Sequence, residues 1–481
     1  GSAPEVLLAA IGAATNHIRI GSGGVMLPHY SAFKVAETFS LLTNLYPGRI
    51  DLGIGRAPGS DMKTARMLAT DGQPKFERFP QLVQELRQML NDAYGTFRHS
   101  AVAPLVQTDE GHFVLELFHG PTLAFKDVAM QFLARVMDHI LGERDQRATI
   151  VGATSGDTGS AAIEAFRGRE NTDIFILHPK GMVSPVQQRQ MTTVLDANVH
   201  NIALEGNFDD CQTIVKDMFN NLHFRDGVSL SGVNSINWGR IVAQVVYYFT
   251  SAVALGAPHR EVSFTVPTGN FGDVFAGFVA QKMGLPIKNL IIATNENDIL
   301  RRTMDTGRYE MDGVSATTSP SMDIQISSNF ERLLFEANDR NAEETKAQMD
   351  GLKQSGSFAL SEKALKSIKA KFQAGTSDQA QTATVQQNVL EQSGYLMDPH
   401  TAVAYKVAQE FAETDVPMIT LSTAHPAKFP AAVKSATQID AALPAWLSDL
   451  YEREERYDVL ENAQDAVEAY IKARARANKE Q

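Results

Sequence analysis

The chain has 481 residues, of which 43% are hydrophobic and 21% charged, and its formal net charge is −12. That length allows two or three domains with sizeable cores, and the composition is ordinary for a globular protein. The acidic balance disfavours nucleic-acid and anionic-membrane partners, and no apolar run reaches the length of a membrane-spanning helix. A single cysteine, Cys211, excludes an internal disulfide and fits a reducing cytoplasm.

The first fifty-five residues alternate between helical and strand-like patterns. Residues 3–15 predict an amphipathic helix, and 17–27 predict a strand that contains a glycine-rich turn. A second helix is predicted over 32–45, and a second strand over 50–55. Helix, strand, helix and strand in this order are typical of a piece of a parallel α/β arrangement.

Two glycine-rich segments in this region read G-S-G-G-V-M-L-P-H-Y and G-R-I-D-L-G-I-G-R-A-P-G-S-D. They resemble the luciferase-like, flavin-dependent monooxygenases, and the resemblance runs to about residue 91. It implies an interior slice of a (β/α)8 barrel, which needs eight strand–helix units over about 250 residues. Because only two strands occur and the family's phosphate site is absent, we interpret residues 1–92 as a partial barrel fragment without flavin binding.

A lysine opens a helix in the stretch E-L-F-H-G-P-T-L-A-F-K-D. The apolar run 112–118 predicts a strand, and the periodic run 128–141 predicts a helix, so Lys126 lies at the start of that helix. A lysine held among apolar groups loses hydration, its pKa falls, and the free amine becomes available for Schiff-base chemistry. The alternative is a solvated lysine in a first helical turn.

This stretch resembles the lysine motif of the threonine synthases, which are pyridoxal-phosphate (PLP) enzymes of the tryptophan-synthase-β type. The resemblance continues from about residue 93 to the end of the chain, so the second region is 93–481. It implies that Lys126 bonds to PLP within an α/β protein of PLP-dependent fold type II, which has two open parallel-sheet subdomains. The smaller subdomain would cover about 148–255, and the larger one 93–147 with 256–481.

The alternation of elements along the second region agrees with open parallel sheets covered by helices. Residues 337–392 are polar and predict exposed helices with short linkers, and the charged tail from residue 461 predicts a solvated helix. The predicted strands are 148–151, 174–177, 199–204, 263–266, 290–293 and 418–421.

A glycine-rich turn, V-P-T-G-N-F-G-D, follows a predicted strand and opens a helix. Glycines let backbone N–H groups converge there, and the helix N-terminus adds partial positive charge, so the turn suits a phosphate. Any strand-to-helix turn can carry glycines for other reasons. Asp273 fits such a turn only if its carboxylate oxygens point away from the phosphate. The resemblance assigns the cofactor phosphate to Gly269, Asn270, Phe271, Gly272 and Asp273.

A second turn, T-S-G-D-T-G-S at 154–160, is rich in hydroxyls and begins another helix. From the residues alone it predicts a cluster that caps the helix N-terminus. The resemblance makes it the loop over PLP and the substrate. It places Asp157 near the phenolic oxygen of the cofactor ring, and Ser155 and Thr158 against the substrate.

The segment N-S-I-N-W-G-R precedes an apolar helix and ends in Arg240. A guanidinium is a planar fork that suits bidentate binding of phosphate, although an exposed arginine in a first turn is the ordinary alternative. The resemblance makes Ser235 and Arg240 candidates for the substrate phosphate, with Lys180 as a further candidate.

The segment L-S-T-A-H-P-A-K-F follows the last predicted strand, at the kind of sheet edge where open α/β sheets bind ligands. The resemblance implies that the hydroxyl of Thr423 faces the pyridine nitrogen of PLP, with Ser422 close behind. Three other segments match the family by position only. They are T-N-E-N-D-I-L at 294–300, S-P-S-M-D-I at 319–324 and D-P-H-T-A-V-A at 398–404.

The resemblance as a whole implies a carbon–oxygen lyase that converts O-phospho-L-homoserine and water to L-threonine and phosphate. We expect PLP as cofactor, no metal, a small-molecule substrate, no nucleic acid or membrane, and a monomer or homodimer. The family's usual N-terminal segment, with a Y-x-S-T-R-G-like motif, is missing, and residues 1–92 stand in its place as in a chimera. Two alternatives therefore stay open: a flavin-dependent luciferase-like oxidoreductase, and a catalytically impaired fusion that still binds PLP.

Overall fold

The computed structural model describes most of the chain. The described residues are residue 8 and the ranges 20–26, 50–55, 79–154 and 156–478. Among the helices in those ranges, none is both long enough and apolar enough to cross a membrane.

Two short strands lie in the described part of the chain before residue 79. Strands β1 (Ile20–Met26) and β2 (Ile50–Gly55) pair in parallel and form a two-stranded sheet of their own. The sequence-based prediction of two parallel strands is therefore confirmed. The helices predicted over 3–15 and 32–45 lie outside the described residues, apart from residue 8, which is helical.

The remaining elements alternate strand and helix through most of their length, as the sequence predicts. In chain order they are α1 (Phe79–Tyr94), β3 (Leu105–Asp109), β4 (His112–Glu116), α2 (Lys126–Glu143), β5 (Ala148–Ala153), α3 (Asp157–Phe166), β6 (Thr172–Pro179), α4 (Pro185–Thr192), β7 (Val199–Glu205), α5 (Phe208–Asn220), α6 (Leu222–Gly227), β8 (Leu230–Ser231), α7 (Trp238–Ala254), β9 (Val262–Pro267), α8 (Gly272–Lys282), β10 (Ile287–Thr294), α9 (Ile299–Thr306), β11 (Arg308–Glu310), α10 (Phe330–Ala337), α11 (Ala342–Ser355), β12 (Ser357–Ala359), α12 (Glu362–Lys369), β13 (Phe372–Thr376), α13 (Gln379–Ser393), α14 (Pro399–Phe411), β14 (Met418–Ser422), α15 (Pro430–Thr437), β15 (Asp458–Glu461) and α16 (Gln464–Lys472).

Six strands form the larger sheet, in the order β13-β10-β9-β14-β4-β3. The pairs are parallel except at one edge, where β3 runs antiparallel to β4. The purely parallel sheet expected from the sequence is corrected at that edge. A two-residue turn reverses the chain between β3 and β4, and its second residue, Gly111, has φ +72°, which glycine adopts without steric cost.

Five strands form the smaller sheet, in the order β15-β7-β6-β5-β8, and all of its pairs are parallel. Strands β5 to β8 belong to the predicted smaller subdomain, 148–255, but β15 comes from the end of the chain. Helix α7 also departs from that division, because its Ile241 and Tyr248 are buried in the core of the larger sheet. The structure thus moves β15 to the smaller sheet and α7 to the larger one.

Helix α16 is half-buried rather than solvated. Val467, Ile471 and Ala475 are fully buried and pack in the core beside β7 and α5. Val467 and Ile471 are four residues apart and therefore lie on one face of α16, which explains why a segment with many charges still contributes to a core.

The polar region 337–392 is also less exposed than its composition predicts. Helices α11, α12 and α13 lie there, as expected, but β13 lies there too and forms one edge of the larger sheet. Phe372 in β13 is buried, with ring centroids 5.8 Å from Phe271 and 5.6 Å from Phe278. Leu352, Phe358 and Ile368 are buried in the same core, and together with Phe372 they tie the region to the larger sheet.

Candidate active site

The candidate site lies at the carboxyl ends of three neighbouring strands, β9, β14 and β4. The glycine-rich turn follows β9, Thr423 follows β14, and Lys126 comes shortly after β4. The N–H of Phe125 donates a hydrogen bond to the carbonyl of Thr423 at 2.8 Å, so the last two segments are in direct contact. Parallel strands therefore bring together residues that are far apart in sequence.

Lys126 is the first residue of α2 and is only 9% exposed. Its Nζ lies 4.8 Å from the centroid of the Phe125 ring and 3.5 Å from Oδ2 of Asp157. Burial lowers the pKa of Lys126; Asp157 opposes this, whereas Lys428 and Arg240 lower the pKa further. The structure thus shows a buried lysine in an environment that favours the free amine, not a solvated one.

Asp157 is the buried centre of a group of four donors. Its Oδ1 accepts hydrogen bonds from Lys428 and from Gln187, each at 2.8 Å. Its Oδ2 accepts longer ones from Lys126 at 3.5 Å and Ser321 at 3.4 Å. Burial alone would raise the pKa of Asp157, but Lys428 and Lys126 outweigh it and hold the pKa below its usual range. The carboxylate is therefore ionised at neutral pH.

The turn at the start of α3 is shaped by Thr154. Its Oγ1 accepts hydrogen bonds from the N–H groups of Gly156 and Gly159, both at 2.9 Å, so the hydroxyl stabilises the helix N-terminus. The predicted capping role is thus present in Thr154. Thr158 is half-buried in the first turn of α3, and Ser155 lies outside the described residues.

The turn after β9 provides backbone donors for an anion. The N–H groups of Gly269, Asn270 and Phe271 donate no hydrogen bond to any other described residue, and α8 begins directly after them at Gly272. A Cβ on Gly269 would lie 2.6 Å from the carbonyl oxygen of Ser321, so only glycine fits at that position. Open N–H groups at a helix N-terminus are a physical basis for phosphate binding.

The carbonyl groups of the same turn are held by other residues. Nδ2 of Asn329 donates to the carbonyl of Asn270 at 3.0 Å and to that of Ser235 at 3.1 Å. The hydroxyl of Ser327 donates to the carbonyl of Gly269 at 2.6 Å. These bonds fix the turn and place Ser235, which the sequence assigns to the substrate phosphate, directly beside it.

Asp273 directs its carboxylate into the protein. Its Oδ1 accepts hydrogen bonds from the hydroxyls of Tyr247 at 2.5 Å and Tyr248 at 3.0 Å. Burial raises the pKa of Asp273 to about 6, and the two tyrosine hydroxyls limit that rise. The oxygen that accepts these bonds thus faces α7, which answers the difficulty that the sequence raises for a carboxylate in this turn.

Arg240 lies in the first turn of α7 and is 4% exposed, so it is not the exposed arginine of the ordinary alternative. Its Nη1 donates to the carbonyl of Val233 at 3.3 Å, whereas its Nε has no hydrogen-bond partner among the described residues. Burial lowers its pKa to about 10. A buried guanidinium with open donors and no carboxylate partner in the described ranges is suited to bind an anion.

The two hydroxyls after β14 differ in their contacts. Oγ of Ser422 lies 2.9 Å from Oγ1 of Thr401, so this hydroxyl is engaged within the protein. The hydroxyl of Thr423 makes no hydrogen bond to another described residue, which leaves it available for a ligand.

Lys180, the remaining candidate, lies apart from this group. Its side chain is 52% exposed and forms an ion pair with Glu205 at 3.2 Å. No hydrogen bond or ion pair joins it to Lys126 or Arg240 within the described ranges.

Sequence reasoning did not assign a role to four residues that the structure brings to the site: Lys428, Gln187, Ser321 and His400. The N–H of Ser321 donates to Nε2 of His400 at 3.2 Å, and Asp398 accepts from Nδ1 of the same ring at 2.7 Å. Three of the four lie in segments that match the family by position or follow β14, but no short-range pattern signals their contacts.

The residues present fit pyridoxal phosphate. Burial keeps an amine available at Lys126, open N–H groups after β9 suit the phosphate, and Thr423 offers a neutral hydroxyl. The smaller sheet is parallel throughout and the larger one is parallel except at β3, which agrees with the fold expected for such an enzyme.

Three known families match successive parts of the chain. The family described as pyridoxal-phosphate dependent enzyme matches residues 98–419, and the C-terminal family of threonine synthase matches 401–471. The luciferase-like monooxygenase family matches 1–113. The matches overlap at 98–113, where the structure places β3 and the start of β4 in the larger sheet.

Several similar proteins and solved structures are named threonine synthase. The threonine synthase of Pseudomonas aeruginosa is 53% identical over 389 residues, which are 80% of this chain and 83% of that protein. The crystal structure of PLP-bound threonine synthase from Brucella melitensis is 62% identical with a TM-score of 0.81, covering 86% of this chain and 89% of that one. The crystal structure of threonine synthase from yeast is 38% identical with a TM-score of 0.77, and the match covers 86% of this chain and 88% of that one. From its fold, its candidate site and these matches, the chain belongs to the threonine synthase family of PLP-dependent enzymes.

Proposed function

We propose that this chain converts O-phospho-L-homoserine and water to L-threonine and inorganic phosphate. The observation that carries the proposal is the presence of two buried basic residues close enough to interact electrostatically, Lys126 and Arg240. Lys126 supplies an amine for the cofactor. Arg240 supplies a guanidinium whose open donors match a phosphate group on the substrate.

PLP bound to Lys126 supplies an electron sink for carbanion chemistry next to the amino group of the substrate. The amine of Lys126, when it is not bonded to the cofactor, would take and return protons at Cα and Cβ of the substrate. Its burial favours this role, because the neutral form of the amine is the one that accepts a proton.

Seven further residues are proposed for the cofactor. The N–H groups of Gly269, Asn270, Phe271 and Gly272 would hold its phosphate, with Asp273 supporting the turn from behind through Tyr247 and Tyr248. Thr423 would face the pyridine nitrogen, and Asp157 the ring's phenolic oxygen. A neutral hydroxyl leaves that nitrogen largely unprotonated, which favours elimination and replacement over transamination.

The substrate would lie between α7 and the start of α3. Arg240 and Ser235 would bind its phosphate and stabilise the charge that develops as phosphate leaves Cγ. Thr158 and Ser155 would contact the rest of the substrate. Lys180 stays a candidate only if it leaves Glu205, its partner on the surface.

The proposal is tested by turnover. The purified chain, loaded with PLP, is expected to release phosphate and L-threonine from O-phospho-L-homoserine in equal amounts, measured by a phosphate assay and amino-acid analysis. Release of phosphate without threonine, or no turnover by a chain that carries PLP, would reject the complete reaction and favour the impaired fusion.

Substitution of Arg240 tests the substrate site. Arg240→Met keeps apolar volume in a buried position but removes a charge-assisted contact, which is worth about 1.5–3 kcal/mol. We expect kcat/KM for O-phospho-L-homoserine to fall roughly 10- to 150-fold, with the cofactor absorbance unchanged. Arg302→Met is the control, because Arg302 pairs with Asp298 in α9. Loss of the cofactor absorbance would instead place Arg240 in the cofactor site.

A flavin-dependent oxidoreductase is the second candidate, and the match of residues 1–113 to the luciferase-like family favours it. An N-terminal deletion that tests this should end before α1, because Ala93 is fully buried and the hydroxyl of Tyr94 donates to the carbonyl of Val128 at 3.2 Å. We expect no FMN binding by the full chain and unchanged PLP binding after removal of residues 1–78, measured by fluorescence and absorbance titration. Stoichiometric FMN binding that the deletion abolishes would support the oxidoreductase.

We also propose that the protein acts in the cytoplasm as a monomer or homodimer, with a small molecule as its partner and neither nucleic acid nor membrane. The net charge of −12 supports the exclusion of polyanionic partners. The division at residues 92 and 93 stays part of this proposal, with the C-terminal strand β15 added to the smaller subdomain.

A further inference from the structure

A second lysine is buried beside Lys126. Lys428 lies in a short helical turn after β14 and is 0% exposed. Its Nζ lies 2.8 Å from Oδ1 of Asp157 and donates to the carbonyl of Thr122 at 2.7 Å. A fully buried ammonium is costly unless it is paired, so the contact with Asp157 is what allows it there.

We propose that Lys428 is a positioning residue that keeps Lys126 reactive by holding Asp157 as its own counterion. The distances carry this assignment. Asp157 lies 2.8 Å from Nζ of Lys428 but 3.5 Å from Nζ of Lys126, and its Oδ1 is shared with Gln187 at 2.8 Å. The proposal rests on the proposed function only in that Lys126 is taken to hold the cofactor.

One carboxylate and two cations act on the charge of Lys126. Asp157 is the nearby carboxylate that stabilises its ammonium form, whereas Arg240 and Lys428 are cations that disfavour that form. Without Lys428, the full charge of Asp157 would act on Lys126. An ammonium ion has no lone pair with which to attack a carbonyl, so the amine would become less reactive.

The other carboxylates nearby do not replace Asp157 as a partner. Asp127 accepts hydrogen bonds from the N–H of Thr122 at 2.8 Å and from its hydroxyl at 2.7 Å, and burial raises the pKa of Asp127 to about 7. Asp273 is engaged with its tyrosines on α7. On the same turn as Lys428, burial lowers the pKa of His425 to about 4, so this imidazole adds no positive charge at neutral pH.

The test is the pH dependence of the rate at which PLP joins Lys126 in the apo form of the full chain. In this step Nζ of Lys126 adds to the aldehyde carbon of PLP and one water leaves, giving a carbon–nitrogen double bond that absorbs visible light. Only the unprotonated amine reacts, so the rate reports the protonation of Lys126.

Three variants should differ in the pH midpoint of this rate in a fixed order. Lys428→Met should move the pH midpoint of the rate upwards, with a rate about tenfold lower for each unit of that shift at pH values below the midpoint. Asp157→Asn should move the midpoint downwards, because it removes the carboxylate that stabilises the ammonium. The pH midpoint of the double variant should lie below that of Lys428→Met, because the double variant also lacks the carboxylate that stabilises the ammonium form of Lys126.

The controls separate this role from a structural one. Lys406→Met removes another partly buried lysine, which pairs with Glu410 away from the site, and should leave the midpoint unchanged. If Lys428→Met fails to fold, Lys428→Gln removes the charge but keeps a donor for Thr122, and the same upward shift is expected. A midpoint that stays fixed in either folded variant, or a double variant equal to Lys428→Met, would overturn the proposal. If the wild-type chain does not bond PLP at Lys126, the proposed function fails instead.

Discussion

Substitution of Lys126 by alanine should abolish the covalent attachment of PLP and reduce turnover by about 10²- to 10⁴-fold through lost proton transfer alone. The residue offers a buried amine whose pKa is lowered, and the structure shows no second lysine in the described ranges with an uncommitted Nζ at this sheet edge. The measurement is the visible absorbance of the purified variant, followed by borohydride reduction and peptide mass analysis. In the wild-type chain we expect reduction to leave a pyridoxyl group on Lys126.

The fold should survive this substitution. Asp157 keeps Lys428 and Gln187 as partners at 2.8 Å when Lys126 is removed, so no buried carboxylate is left without a hydrogen bond. Lys406→Ala serves as the control, because that lysine pairs with Glu410 outside the site. A pyridoxyl group on Lys428 or any other lysine in the wild-type chain would contradict the assignment.

Local patterns in the sequence predict the frame of the site well. The apolar run before the turn becomes β4, and the periodic run after it becomes α2, with Lys126 at its first position. The same holds for the glycine-rich turn between β9 and α8. In each case the signal is contained within about twenty residues, where hydrophobic periodicity and turn residues act together.

The sequence cannot predict contacts that join distant segments. Lys428 reads as an ordinary lysine near a proline, and its burial depends on Asp157 and Thr122, which lie on other elements. Nor does the sequence show that the hydroxyls of Tyr247 and Tyr248 donate hydrogen bonds to the carboxylate of Asp273. Such pairs depend on how the two sheets and α7 pack against each other, and no local periodicity in the sequence signals them.

Composition misleads where few apolar residues decide the packing. In the tail, eight of the 21 residues from 461 to 481 are charged, yet Val467 and Ile471 on one face of α16 are buried in the core of the smaller sheet. In the polar region before α14, the buried side chain of Phe372 lies in β13, which pairs with β10 at the edge of the larger sheet. Average polarity describes the exposed faces of these elements, whereas the positions of a few side chains determine their place in the fold.

Asp398 illustrates a residue whose role only the structure reveals, and its substitution should have the largest effect on stability. It is 0% exposed and caps α14, where it accepts hydrogen bonds from the N–H and Nδ1 of His400 at 2.9 and 2.7 Å. It also accepts from the N–H of Thr401 at 3.1 Å and from the hydroxyl of that residue. Asp398→Ala leaves these buried donors unpaired, so we expect the free energy of unfolding to fall by at least about 3 kcal/mol.

The matched control for Asp398 is Asp378, an exposed aspartate that caps α13 in a reciprocal pair with Gln381. Asp378→Ala should cost only about 1 kcal/mol, because water can replace the lost hydrogen bonds. Urea denaturation of both variants gives the comparison. Asp398→Ala should also weaken PLP binding, because Asp398 orients His400, whose Nε2 accepts a hydrogen bond from the N–H of Ser321. Ser321 in turn donates to Asp157, and its carbonyl oxygen lies against Gly269 in the phosphate turn. Equal losses of stability in the two variants would show that the buried network around Asp398 adds nothing beyond an ordinary helix cap.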